Sequence, residues 1–333
     1  MKAIVCTRYG SPDVLEIRDL PEPVPGPDEV LIRVRATTVS SADWRIRSLS
    51  LPRGFGLLGR VALGFARPRR RILGTELAGD VAAVGARVTR FRPGDAVFAF
   101  AGGRLGCHVE YRCFPAGGAI AHKPPGLSYE QASAVSFGGA TMLDFFRRAS
   151  LQAGERVLVN GATGTVGSAA VQLARLAGAR VTAVCSGDSA ALVQSLGATR
   201  VVDRAREDFV RGGDLYDVIV DTAGTAPFSR CAGVLAPGGR LLLVLATLPE
   251  ILRAPWNRLR SGRRVIAGPA AERPAYIETL RGLAQAGSFV PLVDSIHDFD
   301  AFRAAHARVD GGRKRGSVVL RVAGEAAAPG RPA

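Results

Sequence analysis

Residues 156–167 read Arg156-Val157-Leu158-Val159-Asn160-Gly161-Ala162-Thr163-Gly164-Thr165-Val166-Gly167. The apolar run Val157-Leu158-Val159 reads as a buried strand. Glycines follow at 161, 164 and 167, and then Ser168-Ala169-Ala170-Val171-Gln172-Leu173-Ala174-Arg175-Leu176-Ala177 is apolar at helical spacing. Strand, glycine turn and helix in that order suit a pyrophosphate at the helix N-terminus, where unpaired amides and the helix dipole favour negative charge. Gly161 permits the tight turn, Gly164 lets backbone amides approach the phosphates with no Cβ in the way, and Gly167 lets the helix pack close to the strand. An ordinary strand-to-helix turn can also hold three glycines. The setting on both sides is what makes this stretch a candidate dinucleotide site.

Outward from this turn, strand and helix patterns alternate to about residue 268. Segment 180–185 is a second strand, 201–203 a third, 216–221 a fourth, 239–246 a fifth and 264–267 a sixth. That alternation predicts an α/β fold with a doubly wound parallel sheet. Upstream, residues 1–35 read as β hairpins, and short strands continue to about residue 97, which predicts a small irregular barrel. A helical pattern runs through 130–146. Downstream, 275–286 and 299–309 read as helices and 317–322 as a strand returning to the first domain. From Gly324 the Gly/Ala/Pro composition predicts a disordered tail, residues 324–333.

At 333 residues and 47% apolar content, two domains with real cores are expected. The net charge of +15 comes almost entirely from arginine, since only residues 2, 123 and 314 are lysine. Such a balance attracts anions, although a solvated basic surface accounts for it equally well. Nucleic acid is not an expected partner, because 6% aromatic content leaves few stacking platforms for bases. The five cysteines are scattered, with no C-x-x-C, so neither a disulfide framework nor a zinc knuckle is indicated. Residues 1–10 contain no long apolar segment, and the apolar stretch 57–66 is too short to span a bilayer. A cytoplasmic protein without a membrane partner is the expectation.

Several landmarks stand in order along the chain: the opening Met1-Lys2-Ala3, the segment Gly74-x-Glu76-x-Ala78-Gly79, Arg92-Pro93-Gly94-Asp95, the glycine turn, Ser195-Leu196-Gly197-Ala198 and Pro237-Gly238-Gly239. With these the chain resembles the medium-chain dehydrogenase/reductase superfamily, in its zinc-free, quinone oxidoreductase-like branch. The resemblance implies a discontinuous GroES-like substrate domain, residues 1–124 and 269–323, around a Rossmann NAD(P)-binding domain, residues 125–268. It implies a substrate cleft between the two and a homodimer formed through the edge strand near 264–268.

Zinc-dependent relatives carry Cys in the segment equivalent to 40–43 and His at the position of Thr75. This chain has serines and threonine there, and hydroxyls are poor zinc ligands. No metal is therefore expected. The second strand ends in Cys185-Ser186-Gly187-Asp188, without the carboxylate that would bind a ribose 2′-hydroxyl and exclude a 2′-phosphate. Asp188 reads as a helix N-cap or a ribose contact. Arg204 replaces the tyrosine of NADP-dependent relatives and supplies a positive charge, which favours NADPH over NADH.

Without a metal Lewis acid, the reaction expected is hydride transfer to a carbon conjugated to a carbonyl, as in enones, enoyl thioesters and quinones. The substrate is a small molecule, free or bound to CoA or an acyl carrier. By resemblance Ser40 and Asp43 line the nicotinamide side of the cleft, and Ser40, Ser41 and Asp43 are the candidate catalytic residues; their alternative role is turn hydrogen bonding. Residues 45–66 hold no tyrosine to act as proton donor, so solvent or another group must serve. Thr141 matches a nicotinamide-contacting threonine, unless its hydroxyl bonds back within its helix. Besides Gly161, Ala162, Thr163, Gly164, Thr165, Val166 and Gly167, the candidate cofactor contacts are Ser186, Arg204, Ala223, Leu245 and Ala246. His108 is a candidate proton relay or a structural residue. Segment 47–71 reads as a lid, a docking face for an acyl carrier, or a plain surface loop. Two rival functions are an NADPH-binding sensor without turnover and a biosynthetic carbonyl reductase.

Overall fold

The strand Arg156–Asn160 lies in the middle of a six-stranded parallel sheet. The order across the sheet is Arg200–Asp203, Arg180–Cys185, Arg156–Asn160, Tyr216–Asp221, Leu235–Leu243 and Arg264–Ala267. Chain order reverses between Arg156–Asn160 and Tyr216–Asp221, the place in such sheets where ligands bind beyond the strand C-termini. Val157, Leu158 and Val159 are wholly inaccessible, as expected of a strand covered on both faces. The computed structural model describes residues 1–322, so the tail expected at 324–333 lies outside the described residues.

The second, fourth and sixth strands have the bounds read from the sequence. The fifth is Leu235–Leu243 rather than 239–246. Its ladder with Tyr216–Asp221 is interrupted before Arg240 and ends at the pair Asp221–Leu243. The helical pattern 130–146 is two helices, Tyr129–Ser133 and Ser136–Ala149. The first starts at a capping box between Ser128 and Gln131 and packs on the antiparallel sheet. The second packs on helix Thr165–Leu176, with Gly138 so close that a Cβ there would lie 2.4 Å from the Thr165 carbonyl oxygen.

The antiparallel half begins with the hairpin Lys2–Cys6 and Leu15–Asp19. Its main sheet runs Val293–Asp298, Ser317–Arg321, Glu29–Val39, Glu76–Val84, Ala96–Phe100 and Ile120–His122, with Tyr111–Pro115 also on Glu29–Val39, and is antiparallel except for the parallel pair Val293–Asp298 and Ser317–Arg321. The closing strand does return to the first half, pairing Val318 with Val39. Helix Pro274–Gln285 sits on the other side of the division: Ile277 and Leu280 join the same apolar cluster as Val157 and Val171. The chain rejoins the sheet of the first half at strand Val293–Asp298. No helix among the described residues is long and apolar enough to cross a membrane.

Candidate active site

The glycine turn has the shape its sequence requires. Gly161 has φ +82°, and a Cβ on it would fall 2.6 Å from Thr222 Oγ1. A Cβ at 167 would lie 2.0 Å from the Gly161 carbonyl oxygen, so only glycine lets the helix start beside the strand end. Gly164 differs: its φ is −71°, and an added Cβ would meet nothing closer than the Gly161 carbonyl oxygen at 3.6 Å. Its Cα therefore faces open space in front of the helix. The first-turn amides of Thr165, Val166 and Gly167 have no intrahelical acceptor. This is a cradle for an oxyanion, and the residues present fit a dinucleotide pyrophosphate.

Asp221 holds the opposite lip. It is buried and accepts from the amides of Ala223 (3.1 Å), Gly224 (3.0 Å) and Ala226 (2.9 Å), while Asn160 Nδ2 donates to it at 2.9 Å. Thr222 Oγ1 ties this loop to the carbonyl of Asn160. The predicted contact Ala223 is thus fixed at the C-terminal edge of the sheet. Leu245 and Ala246 reach the same edge, just past the end of strand Leu235–Leu243.

At the adenosine end, Ser186 follows strand Arg180–Cys185, and Arg204 is exposed where its amide donates to the Cys185 carbonyl. Asp188 is not an N-cap: the cap of helix Ala190–Ser195 is Ser189, which makes no side-chain cap bond. Asp188 instead pairs with Arg315, which arrives from the returning segment. A hydrogen bond from Ser186 and the Arg315 charge hold its carboxyl below the usual range.

The reacting end is dominated by buried oxygens. Ser40 caps helix Ser41–Ser48 in a capping box with Asp43: Ser40 Oγ donates to Asp43 at 2.6 Å, and Asp43 also accepts the amides of Ser40 and Gly74, each at 2.7 Å. Turn bonding therefore commits the Ser40 proton and the Asp43 carboxylate. Ser41 keeps a hydroxyl with no hydrogen bond among the described residues. Thr141 Oγ1 bonds back to the Phe137 carbonyl at 2.6 Å, leaving its acceptor lone pairs for a ligand. His108 is buried, with Nε2 at 3.0 Å from the Thr38 carbonyl and Nδ1 unpartnered.

Glu76 is the group whose importance sequence reading underweighted. Thr38 Oγ1 and the Phe137 amide each donate to it at 2.6 Å, so it joins strand Glu29–Val39 to the start of helix Ser136–Ala149. Burial raises its pKa to about 7. Segment 47–71 carries the short helix Gly56–Leu63, with Leu57, Leu58, Val61 and Phe65 exposed, and the Arg53 carbonyl accepts from Leu248 at the start of helix Leu248–Ser261. The segment thus links the two halves.

Ser40 and Thr75 carry hydroxyls, which are poor zinc ligands, and among the described residues no group of three or more His, Cys, Asp or Glu side chains that could hold a metal ion is found. Asp221 and Arg315 are long-range contributors to this arrangement that sequence reading missed. The Asp221-Thr222-Ala223-Gly224 run, an acceptor followed by a glycine turn, was the only local signal for either of them.

Comparison with known proteins agrees with this architecture. Residues 26–126 match the alcohol dehydrogenase GroES-like domain family and residues 196–320 the zinc-binding dehydrogenase family. The chain is 35% identical over 249 residues to a quinone oxidoreductase of Pseudomonas aeruginosa, covering 72% of each protein. It is 28% identical over 338 residues to a chloroplastic quinone-oxidoreductase homolog of Spinacia oleracea, covering 96% of this chain and 98% of that one. The solved quinone oxidoreductase of Coxiella burnetii superposes with a TM-score of 0.85 at 26% identity, over 97% of this chain and 99% of the other. With these matches and the glycine-turn geometry together, the chain belongs to the medium-chain dehydrogenase/reductase superfamily, in its quinone oxidoreductase-like branch, and is an oxidoreductase of nicotinamide nucleotides.

Proposed function

We propose that this enzyme reduces quinones and α,β-unsaturated carbonyl compounds with NADPH and without zinc. The observation that carries the reading is the cradle at Gly164, open in front and walled by backbone behind. The nicotinamide, when bound, supplies a hydride. In a conjugated acceptor the two electrons of that hydride enter at carbon or oxygen, the displaced π electrons collect on the carbonyl oxygen, and one proton completes the product. Such an acceptor carries its own electron sink, so a few hydrogen-bond donors stabilise the developing charge without a Lewis acid. Ser40 and Asp43 shape the cleft wall by capping helix Ser41–Ser48. Ser41, with its hydroxyl free, and solvent are the sources of the proton.

Preference for NADPH rests on charge. Asp188 would repel a 2′-phosphate, but Arg315 neutralises it, and Arg204 remains exposed with no ion pair among the described residues. A charge-assisted bond to phosphate contributes roughly 1.5–3 kcal/mol, or about tenfold and more in affinity. Arg204→Ala should raise the KM for NADPH by about that factor and leave the value for NADH unchanged; an equal effect on both would defeat the assignment. The general test is cofactor oxidation against a panel of quinones, enones, enoyl thioesters and simple ketones. Turnover of conjugated acceptors alone supports the proposal. Cofactor binding with no turnover favours the sensor reading, and turnover of simple ketones favours a carbonyl reductase. We propose further that the edge strand Arg264–Ala267 pairs two copies into a homodimer.

A further inference from the structure

Lys314 is one of only three lysines in a chain that otherwise takes its positive charge from arginine. It lies on the segment that returns to the antiparallel half, yet its side chain reaches into the dinucleotide-binding half. Nζ donates to Thr165 Oγ1 at 2.7 Å and to the Gly316 carbonyl at 2.6 Å. Thr165 is the first residue of the helix behind the cradle, and its hydroxyl in turn donates to the Gly316 carbonyl at 2.9 Å. The Gly316 amide donates to the Thr163 carbonyl at 2.8 Å, and Gly316 bridges to Gly164 itself. The returning chain is thus laced to the glycine turn, with an ammonium at the seam.

That ammonium makes no ion pair among the described residues: both acceptors are neutral oxygens. The charged groups that act on it are Asp294, Glu76 and Arg308, and Asp294 is committed to Arg308 and to the Arg315 amide. A half-buried cation whose hydrogen bonds go to neutral oxygens, with the nearby Asp294 already paired, is stabilised when an anion completes its surroundings. The orphan amides of Thr165, Val166 and Gly167 share the same helix start and make the same demand.

We propose that Lys314 is a cofactor-binding residue: its ammonium and the first-turn amides of helix Thr165–Leu176 jointly hold the cofactor's pyrophosphate, so that a bound dinucleotide cross-links the two halves of the molecule. The inference rests on the nicotinamide-nucleotide reading of the site. It concerns the pyrophosphate, which NADPH and NADH share, and so differs from the role given to Arg204. Burial lowers the Lys314 pKa to about 8, which places loss of its charge within an accessible pH range.

The test measures binding of NADH and of ADP-ribose, neither of which has a 2′-phosphate, by calorimetry between pH 6.5 and 9.5 for wild type, Lys314→Gln and Lys314→Arg. The expected result is that wild-type affinity for both ligands falls as pH rises through about 8. Lys314→Gln should bind about 10- to 100-fold more weakly at pH 7 with no such fall, and Lys314→Arg should regain binding and hold it to higher pH. Thermal melts of the ligand-free variants establish that each is folded. A folded Lys314→Gln that binds both ligands like wild type, or that keeps the same pH dependence, overturns the inference and leaves the cofactor reading standing. A wild-type protein that binds neither ligand overturns both.

Discussion

Replacing Gly164 with alanine separates folding from cofactor binding more cleanly than any other change in the turn. The added Cβ meets only the Gly161 carbonyl oxygen, at 3.6 Å, which is ordinary contact, and the residue's φ of −71° and ψ of 170° suit alanine. Removing a glycine stiffens the unfolded chain and stabilises by roughly 0.4–1 kcal/mol, while at an N-cap alanine costs roughly 0.5–2 kcal/mol and glycine a few tenths against the best caps, so the exchange loses an amount of similar size. The net change in stability is about zero. Binding is another matter, because the methyl projects into the space through which phosphate oxygens approach the helix amides. Loss of one charge-assisted bond corresponds to roughly 1.5–3 kcal/mol, or about 10- to 100-fold in Kd. The control is Gly167→Ala, where the Cβ would lie 2.0 Å from a backbone oxygen that cannot step aside, so the melting temperature itself should drop. Denaturant melts and fluorescence titrations with NADPH on both variants test this. Wild-type affinity in Gly164→Ala, or destabilisation there as large as in Gly167→Ala, would refute the reasoning.

Two further perturbations probe buried titratable groups. The raised pKa of Glu76, about 7, means the folded protein holds a proton that the unfolded chain releases near its ordinary 4.5. Its contribution to stability is full below about 4.5 and is lost as pH climbs to about 7. Subtracting the Glu76→Gln stability curve from that of wild type should show this decline, and a flat or rising difference would contradict it. His306 is buried with both ring nitrogens unpartnered, edge-on to His108 at 5.6 Å, and burial holds its pKa well below the usual histidine value. Below about pH 6.5 the unfolded chain gains a proton that the folded chain refuses, so stability falls with falling pH. His306→Phe removes unsatisfied polar atoms at similar volume, should stabilise by about 1–2 kcal/mol at neutral pH, and should flatten the acid side of the curve; destabilisation at pH 7 would show that the imidazole has a partner in solution.

How far the fold was legible follows from where each signal resides. Buried parallel strands announce themselves as short apolar runs between turns, which is why 180–185 and 216–221 come out to the residue; the partly buried edge strand 264–267 carries the same kind of run. Helix Leu248–Ser261 did not, because Pro255 lies inside it and no residue in it is buried, so neither propensity nor an inward apolar face marks it. Strand Val293–Asp298 is half-exposed along most of its length and is recognisable only beside Ser317–Arg321. The break at Ala134 and Val135 is set by different packing partners, the antiparallel strands for the first helix and helices Thr165–Leu176 and Pro274–Gln285 for the second, a tertiary cause without a local signature.

The site divides the same way. Gly161, Gly164 and Gly167 declare their roles within seven residues, because each backbone requirement is met locally. Asp188 left open a cap and a ribose contact, and neither reading could show its ion pair with Arg315, 127 residues away. Lys314 reaches Thr165 across 149 residues, and within a basic run it looked like any solvated charge. Ser40 and Asp43 show a limit of another kind: S-x-x-D is a helix-start pattern as well as a pair of reactive side chains, and the structure uses it as the former.

In the proposed reaction a nicotinamide nucleotide held at the Gly164 turn reduces a conjugated acceptor with no metal ion taking part. The most direct measurement is turnover of NADPH with a quinone by protein stripped with a chelator and assayed for zinc by elemental analysis. One NADPH should be oxidised per quinone reduced, at a rate that neither chelation nor added zinc changes. A rate that rises and falls with bound zinc, or no oxidation above the protein-free control, would contradict it.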